Sequence, residues 1–348
     1  MEDMIRIGEF PEQARFGEGS IVHTDVELFE RIITMENLVA AWREFRRGKG
    51  RKRDVMAFAD YAEERLVSLA HDLADGRYRH GQYTRFVVHD PKRREISKAS
   101  VRDRVLHHAI CRVIEPIFER GFIFDSYANR RGKGVLAASD RFDVFARRCS
   151  RNGKRAVFVL RADIRKYFDS VNHDILLSIL ARRIQDDSAM ALISAVIRSF
   201  ETFPGKGVPL GNLTSQLFSN AYLDPLDQFA KRELGIRYYL RYADDIAVLS
   251  DSVSDLVRIR DRLDVFLSRE LSLSFHPDKT GITPLRRGVD FLGTVHFPTH
   301  RVLRTKTVRR ALSRLSPSNA TSYLGLTRHV RAHGLADRMR GILEKSER

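Results

Sequence analysis

The sequence predicts an α+β fold in which helices flank an antiparallel sheet. Apolar residues recur at helical spacing through residues 55–76 and 101–118. Short apolar runs typical of strands occur instead at residues 156–163 and 237–250, and the second segment contains two runs separated by a pair of acids. The length of 348 residues predicts two or three subdomains rather than one compact unit.

The chain is strongly basic. Its 61 lysines and arginines exceed its 45 aspartates and glutamates, which gives a formal net charge of +16 and a pI of about 10.1. We interpret this charge as a sign of a nucleic-acid partner rather than of a basic protein without one, because unneutralised charge repels itself. The two cysteines, Cys111 and Cys149, exclude a disulfide framework and a four-thiolate metal site.

The sequence shows no targeting signal. Residues 1–20 lack the apolar core of a secretory signal, and no stretch of apolar residues is long enough to predict a membrane span. We therefore expect a cytoplasmic protein that does not enter a membrane.

The first part of the chain alternates helical and basic segments. Residues 1–30 show no clear periodicity, whereas residues 32–45 have helical spacing. The basic segment 46–54 is predicted to be a loop, which either contacts a phosphate backbone or is simply solvated. The pattern of residues 55–76 predicts an amphipathic helix that ends at a Gly76 cap.

A basic strand pair is predicted next. Residues 83–100 have the pattern of a strand, a turn containing Pro91 and a second strand, and the turn is dense in cations. Helical spacing then resumes over residues 101–118.

Asp163 ends the short apolar strand that is predicted at residues 156–163. A carboxylate at the end of a buried strand is costly unless a cation compensates its charge. A lysine or arginine can supply that charge, and so can a metal ion. Asn172 is positioned to cap the helix that follows, whose apolar face includes Ile175 and Ile179.

Asp244 and Asp245 separate two apolar runs in residues 237–250, a pattern that predicts a β-hairpin with both acids at its tip. Aspartates are also common in turns for local reasons, because the side chain hydrogen-bonds its own backbone. Together with Asp163, however, they offer the oxygen ligands that Mg²⁺ requires. Two such ions about 3.5–4 Å apart promote in-line phosphoryl displacement, which is the chemistry of nucleotide addition.

Residues 205–235 predict a glycine-bearing loop that leads into a helix ending near Gly235. Small and polar residues at Gly211, Asn212, Thr214 and Ser215 leave room for a flat partner such as a templating base pair. An ordinary helix start after a flexible loop is the alternative.

The sequence YADD at residues 242–245 resembles the aromatic-x-Asp-Asp motif of the reverse transcriptases. Asp163, followed by Ile164 and Phe168, is similar to the first catalytic motif of that family. The resemblance implies that the three aspartates and the Ile164 carbonyl hold two Mg²⁺ ions, for which Mn²⁺ can substitute. It also implies that Phe168 excludes a ribose 2′-hydroxyl from the dNTP site. The alternative is that Phe168 only packs in the core beside Tyr167.

The resemblance also implies roles for cations near the site. Lys279 resembles the family lysine that lies near the outgoing pyrophosphate, although a solvated turn lysine is an equal alternative. Residues 93–104 resemble the fingers segment whose cations hold the incoming triphosphate. The candidates in that segment are Arg94, Lys98, Arg102 and Arg104, of which Arg104 is preferred.

Within that family the chain resembles the reverse transcriptases of diversity-generating retroelements, over residues 85–310. The resemblance is carried by residues 124–134, 210–229 and 289–303, and by the group's nucleotide-site pattern of Leu210, Gly211, Ser215 and Gln216. Other reverse transcriptases commonly have glutamine in place of Leu210 and Ser-Pro in place of Ser215-Gln216. Because leucine cannot hydrogen-bond near the incoming sugar, we expect a looser pocket, and the resemblance implies error-prone copying of RNA into cDNA, chiefly opposite adenine.

The resemblance further implies a right-hand polymerase architecture. Its parts are an N-terminal extension (1–50), mainly fingers (51–155), a palm with the catalytic motifs (156–298) and a short basic helical thumb (299–348). The implied partners are an RNA template, an RNA/DNA duplex and an accessory variability protein, a small basic helical oligomer. The alternatives are a retron-type or group II intron-type reverse transcriptase and a nucleic-acid-binding homologue that has lost catalysis.

Overall fold

The structure is a computed structural model, and it describes residues 27–89, 93–332 and 334–346. The α-helices in these residues are α1 (Leu28–Ile33), α2 (Met35–Arg46), α3 (Arg53–Ala59), α4 (Ala62–Ala74), α5 (Val101–Glu119), α6 (Val135–Cys149), α7 (Tyr167–Ser170), α8 (His173–Ala181), α9 (Asp187–Arg198), α10 (Leu213–Gln228), α11 (Val253–Glu270), α12 (Thr305–Arg314), α13 (Ala320–Thr327) and α14 (Leu335–Ser346). The strands are β1 (Thr84–Val88), β2 (Arg94–Lys98), β3 (Phe158–Asp163), β4 (Tyr239–Tyr242), β5 (Asp245–Ser250), β6 (Gly281–Pro284), β7 (Val289–Phe291), β8 (Thr294–His296) and β9 (Arg301–Leu303). A π-helical turn (Phe229–Glu233) extends α10.

Helix α5 is the centre of the first half of the molecule. The Ser100 side chain caps it by accepting a hydrogen bond from the Asp103 amide. Helices α1 to α4 and α10 all pack on α5, and Val105, Ala109 and Ile110 are completely buried there. The helix predicted over residues 101–118 is therefore confirmed.

Two other helical predictions need correction. Residues 55–76 form α3 and α4, separated at Asp60 and Tyr61, rather than one helix. The periodicity hid this break, because the buried residues on either side of it stay at spacings that one continuous helix also allows. Residues 32–45 likewise belong to two helices, since the Thr34 side chain caps α2 by accepting from the Asn37 amide. The predicted end at Gly76 is confirmed, with the glycine in the left-handed region at a φ of +65°.

The predicted antiparallel sheet has four strands in the order β4-β5-β3-β6. Successive residues of a strand point to opposite faces. On β5, Ala247 and Leu249 accordingly join one apolar cluster with α6, while Ile246 and Val248 join the other with α11. Helices thus cover both faces of the sheet, and the α+β class is confirmed.

Two smaller sheets complete the described structure. The basic segment 83–100 forms the antiparallel β1–β2 hairpin, as predicted, although residues 90–92 of its turn lie outside the described residues. Strands β7, β8 and β9 form a three-stranded sheet, so the predicted palm–thumb boundary at 298/299 falls between two strands of one sheet. The three helices α12 to α14 follow from Thr305 onward. Of the helices described, none is long and apolar enough to cross a membrane.

Candidate active site

Strand β3 ends at Asp163, directly opposite Asp245 at the start of β5. Residues paired in this way have Cα atoms about 4.5–5.5 Å apart. On the other side of β5, Tyr242 of β4 also pairs with Asp245, so Ala243 and Asp244 form the turn between the two strands. Ala243 adopts a φ of +52°, which the tight turn requires. The structure therefore brings all three predicted aspartates to one end of the sheet.

The acids at this turn repel one another. The pKa of Asp245 is raised to about 6, first by burial and then by the charges of Asp244 and Asp163. Burial also raises the pKa of Asp244, and Asp163 adds to the effect, while Lys279 and Arg94 oppose it. Clustered carboxylates of this kind favour the binding of a cation, because a cation offsets both the burial and the repulsion.

Lys279 is the nearest basic partner of the strand end. Its ammonium group donates to the Asp163 carboxylate at 2.7 Å, although nearly half of its side chain is exposed. The segment before Lys279 is anchored there, since Phe275 forms a bridge with Ile164 and the His276 amide donates to the Asp163 carbonyl at 2.7 Å. Lys279 thus lies beside the aspartates rather than in a merely solvated turn, and its role at pyrophosphate stays a prediction.

The donor set at the turn suits a hard divalent cation. Three carboxylates and a backbone carbonyl at Ile164 are the oxygen ligands that Mg²⁺ prefers. Within the described ranges, no three acidic, histidine or cysteine side chains are already arranged as a metal cage. The Asp163 carboxylate contacts Lys279 instead. A metal ion ligated through Asp163 Oδ2 would therefore replace Lys279 at this oxygen.

The four fingers cations occupy different environments. Lys98 and Arg104 both contact the Asp54 carboxylate, at 2.7 and 2.6 Å, and Arg102 contacts Asp72 at 2.7 Å. Arg94, at the start of β2, is exposed and close enough to Asp244 to lower its pKa. Arg94 therefore lies within electrostatic range of Asp244, whereas the preferred candidate Arg104 is held in an ion pair with Asp54.

The predicted nucleotide-site residues divide into two groups. Leu210 and Gly211 lie against β2, where the Ser97 amide donates to the Leu210 carbonyl at 3.3 Å. Gly211 has a φ of +109°, and a Cβ at this position would approach Ile96 to 3.0 Å, so only glycine fits without strain. The Phe168 carbonyl accepts from the Val208 amide at 2.8 Å, which ties the same loop to the segment after β3.

The remaining residues of this pattern lie on α10. Ser215 is buried, and its carbonyl accepts a hydrogen bond from the Ser219 hydroxyl. Gln216 lines a small cavity beside α5 rather than the surface against β2. Phe168 is half-buried, and its ring packs edge-on against Tyr167 with 5.6 Å between the ring centroids. Part of the Phe168 ring thus packs in the core, as the alternative role predicted.

A buried arginine supports the turn, although the sequence motifs did not predict it. Arg241 is completely buried and donates two hydrogen bonds to Asp227, at 2.6 and 2.8 Å. Its third nitrogen, Nη1, donates to the Ala243 carbonyl at 3.0 Å. Nη2, one of the two nitrogens that contact Asp227, also donates to the Ser126 hydroxyl at 3.2 Å. The signal was an arginine at a core position of a strand, three positions before the first acid of the pair. Arg241 therefore links the loop after α5, helix α10 and the turn that carries the acids.

Comparison with known proteins identifies the family. Residues 89–296 match the family model described as reverse transcriptase (RNA-dependent DNA polymerase). The chain is 27% identical over 281 residues to the protein YkfC of Escherichia coli K12, covering 69% of this chain and 72% of that protein. It is 21% identical over 324 residues to the group II intron-encoded protein LtrA of Lactococcus lactis subsp. cremoris, covering 72% of this chain and 52% of LtrA.

Solved structures show the same architecture. Apo telomerase from Candida tropicalis superposes with a TM-score of 0.53 and 10% identity, over 76% of this chain and 57% of the telomerase chain. At that identity the likeness concerns the fold alone. It confirms the right-hand polymerase architecture that the motifs predicted, and the chain spans little more than half of the length of the telomerase and of LtrA.

Proposed function

The chain belongs to the reverse transcriptase family, the RNA-dependent DNA polymerases, and we propose that it copies an RNA template into cDNA at the turn that carries Asp244 and Asp245. The observation that carries this proposal is the register of the central sheet, which pairs Asp163 with Asp245 although 82 residues separate them in the chain. Deoxynucleoside triphosphates are the substrates, and an RNA template with its RNA/DNA duplex is the partner.

The proposed metal ligands are Asp163, Asp244, Asp245 and the Ile164 carbonyl. Two Mg²⁺ ions, or Mn²⁺ in their place, would increase the acidity of the primer 3′-hydroxyl and stabilise the leaving oxygen when bound there. The half-burial of the acids limits their hydration, so their charges act more strongly on a bound cation than they would in open water.

Cationic side chains hold the triphosphate in this proposal. Arg94 is the candidate that the geometry favours, because it lies near Asp244 and makes no ion pair with a described residue. Lys279 contacts Asp163 from the turn before β6 and is suited to stabilise the outgoing pyrophosphate once metal ligation frees it from that carboxylate. Lys98 and Arg104 join only when their shared contact with Asp54 opens.

The nucleotide itself is selected beside the loop at residues 205–211. Phe168 is tied to this loop through its carbonyl, and its ring is the proposed barrier to a ribose 2′-hydroxyl. Leu210 offers no hydrogen bond to the sugar, which supports low fidelity. We therefore propose the diversity-generating class, with adenine-biased mutagenesis and an accessory variability protein as partner.

A second candidate is a group II intron-type reverse transcriptase. The similarity to LtrA over 72% of this chain favours it. The two candidates differ in fidelity, so sequencing of the cDNA separates them: mutations concentrated opposite template adenines favour the first, and faithful copying favours the second.

The central experiment is primer extension on an RNA template with Mg²⁺. We expect Asp244→Asn to lower the extension rate by at least about 10²–10³-fold, because it removes charge from the metal site. Asp261→Asn is the control, since that acid lies exposed on α11 and has no part in the proposed site. Full activity of Asp244→Asn would reject the site assignment, and an inactive wild-type chain would favour the homologue that has lost catalysis.

Fidelity provides a separate prediction. We expect Leu210→Gln to lower misincorporation opposite template adenine several-fold, because an amide near the sugar can hydrogen-bond and stiffen the pocket. The measurement is the error spectrum of cDNA from one defined RNA template, with wild type in parallel. An unchanged error rate would argue against a role of Leu210 in fidelity.

A further inference from the structure

The end of the central sheet opposite the aspartates carries an unusually basic cleft. It has a volume of about 480 Å³. Its lining residues are Arg147, Arg148, Cys149, Arg151, Asn152, Arg155, Arg237, Tyr238 and Asp251. We propose that this arginine cleft binds the phosphodiester backbone of the RNA at a point outside the catalytic primer–template, an inference that rests on the proposed function.

The charge balance of the cleft calls for an anionic ligand. Of its five arginines, Arg155 alone forms an ion pair within the described part of the chain, with Asp251 at 2.7 Å. The other four are exposed and make no ion pair with any residue in the described ranges. Arginines near the end of α6 also complement the helix dipole, but one or two of them would suffice for that purpose. The positive charge of the remaining arginines is available to an anionic partner.

The local backbone holds the arginines in place. After α6, Arg151, Asn152 and Gly153 all have positive φ angles, of 50°, 56° and 84°. The loop is closed by the Gly153 amide, which donates to the Ser150 hydroxyl at 2.9 Å. Three consecutive left-handed residues are unusual, and they turn the chain sharply so that the arginines before and after the loop face one cleft.

The floor of the cleft is also fixed. Tyr238 packs edge-on against Phe145 of α6 at 5.4 Å, and the Arg237 guanidinium lies over the Tyr238 ring at 5.4 Å. Guanidinium groups bind phosphate oxygens in a planar, bidentate manner, and a tyrosine ring offers a surface on which a base can stack. The combination fits a nucleotide chain better than an isolated inorganic anion.

The cleft is separate from the catalytic site. Phe158 and Ser250 pair at this end of the sheet, and Asp163 and Asp245 pair at the other, five residues away along each strand. That distance is about 17 Å along the strands. A ligand here therefore does not reach the metal site, and the contact would hold RNA that extends beyond the duplex being copied.

The test compares two double variants of the full chain that each lose two positive charges. Arg148→Ala/Arg151→Ala alters the cleft, and Arg258→Ala/Arg260→Ala alters exposed arginines on α11. Binding of a long RNA template and of a short primer–template is measured over a range of salt concentrations. We expect only the cleft variant to lose affinity for the long RNA, with the slope of log K against log salt reduced by about 1.4–1.8. Its extension rate on the short primer–template should match wild type.

Three outcomes would overturn the inference. An unchanged salt slope would remove the arginines from the RNA contact, and an equal loss for the short primer–template would place them on the catalytic duplex. Loss of binding to poly-L-glutamate with RNA binding retained would assign the cleft to an acidic protein instead. If the wild type binds long RNA through the cleft but extends no primer, the proposed function fails while this inference stands.

Discussion

Arg241 shows how a single side chain can define the geometry of the candidate site. It is the largest side chain that the fold buries completely, and its charge is balanced by Asp227, which is fully buried too. The Tyr239 hydroxyl donates to the same carboxylate at 2.7 Å. The remaining guanidinium nitrogen donates to the Ala243 carbonyl. The ion pair therefore fixes the backbone of the turn without using the side chains of Asp244 and Asp245.

Removing one partner of this ion pair should destabilise the fold much more than removing both partners. We expect Arg241→Met to lower the free energy of unfolding by about 3–5 kcal/mol, because it leaves Asp227 buried without its cation. The double variant Arg241→Met/Asp227→Leu should recover most of that loss, as measured by urea unfolding. Primer extension should stay low in the double variant, because the Ala243 carbonyl still lacks its donor. Strictly additive losses would contradict the coupling.

The sequence was sufficient to predict that the three acids lie at strand ends. It was not sufficient to predict the buried ion pair that supports their turn. The apolar runs around Asp163 and the hairpin pattern around Asp244 predicted strand ends, and the strands pair as required. The Arg241–Asp227 pair depends on a contact between a strand and a helix that no local periodicity encodes. The ion pair of Arg104 with Asp54 was not predicted for the same reason, since the two residues are 50 positions apart in the chain.

Among the elements of the fold, Asp54 connects two helices and a strand. It lies on α3 and contacts Lys98 of β2 and Arg104 of α5. Burial by itself would raise the pKa of this carboxyl, but the hydrogen bonds from Lys98 and Arg104 hold it at about 2. The same contact keeps two candidate triphosphate ligands turned toward the helices, and it joins the β1–β2 hairpin to α3 and α5.

This ion pair predicts a pH-dependent loss of stability. A carboxyl with a lowered pKa in the folded state stabilises the fold above its unfolded pKa of about 3.9, and the contribution is lost as the pH falls through about 2. We expect Asp54→Asn to lower the free energy of unfolding at pH 7 by about 1 kcal/mol at most, since a third of the side chain is exposed. About half of that difference should remain at pH 3.

Chemical unfolding between pH 3 and pH 7 measures this difference. The matched control is Asp60→Asn, because Asp60 is exposed at the end of the same helix. A loss that is equal for both variants, or equal at both pH values, would show that Asp54 does not act through its ion pair.

Elements with a strong local signal were predicted well. The β1–β2 hairpin, α5 and the β4–β5 hairpin follow their periodicities, and Asn172 caps α8 by accepting from the amides of the next turn. The break between α3 and α4 was not predicted, because helical spacing of apolar residues continues across it. The register of the sheet was inferred only through the chemistry of the acids, since residues far apart in the chain meet in it.

At the scale of the whole molecule, negative charge is concentrated at one end of the sheet in a chain with a net charge of +16. Without a metal ion, the raised pKa of Asp245 makes the fold less stable as the pH rises from about 4 through about 6, because the folded state keeps a proton that the unfolded state has lost. A divalent cation binds the deprotonated acids and reverses this trend. We therefore predict that Mg²⁺ stabilises the protein more at pH 7.5 than at pH 5.

The stabilisation should approach about 2.7 kcal/mol when Mg²⁺ is present at 100 times its dissociation constant. Urea unfolding with Mg²⁺, compared with NaCl at equal ionic strength, isolates specific binding from screening. Asp245→Asn should abolish the Mg²⁺ effect and should be more stable than wild type in EDTA at pH 7.5, since it removes the repulsion at the turn. Equal stabilisation of both proteins by Mg²⁺ would mean that the cation binds elsewhere, and the two-metal mechanism at this turn would then lack its thermodynamic basis.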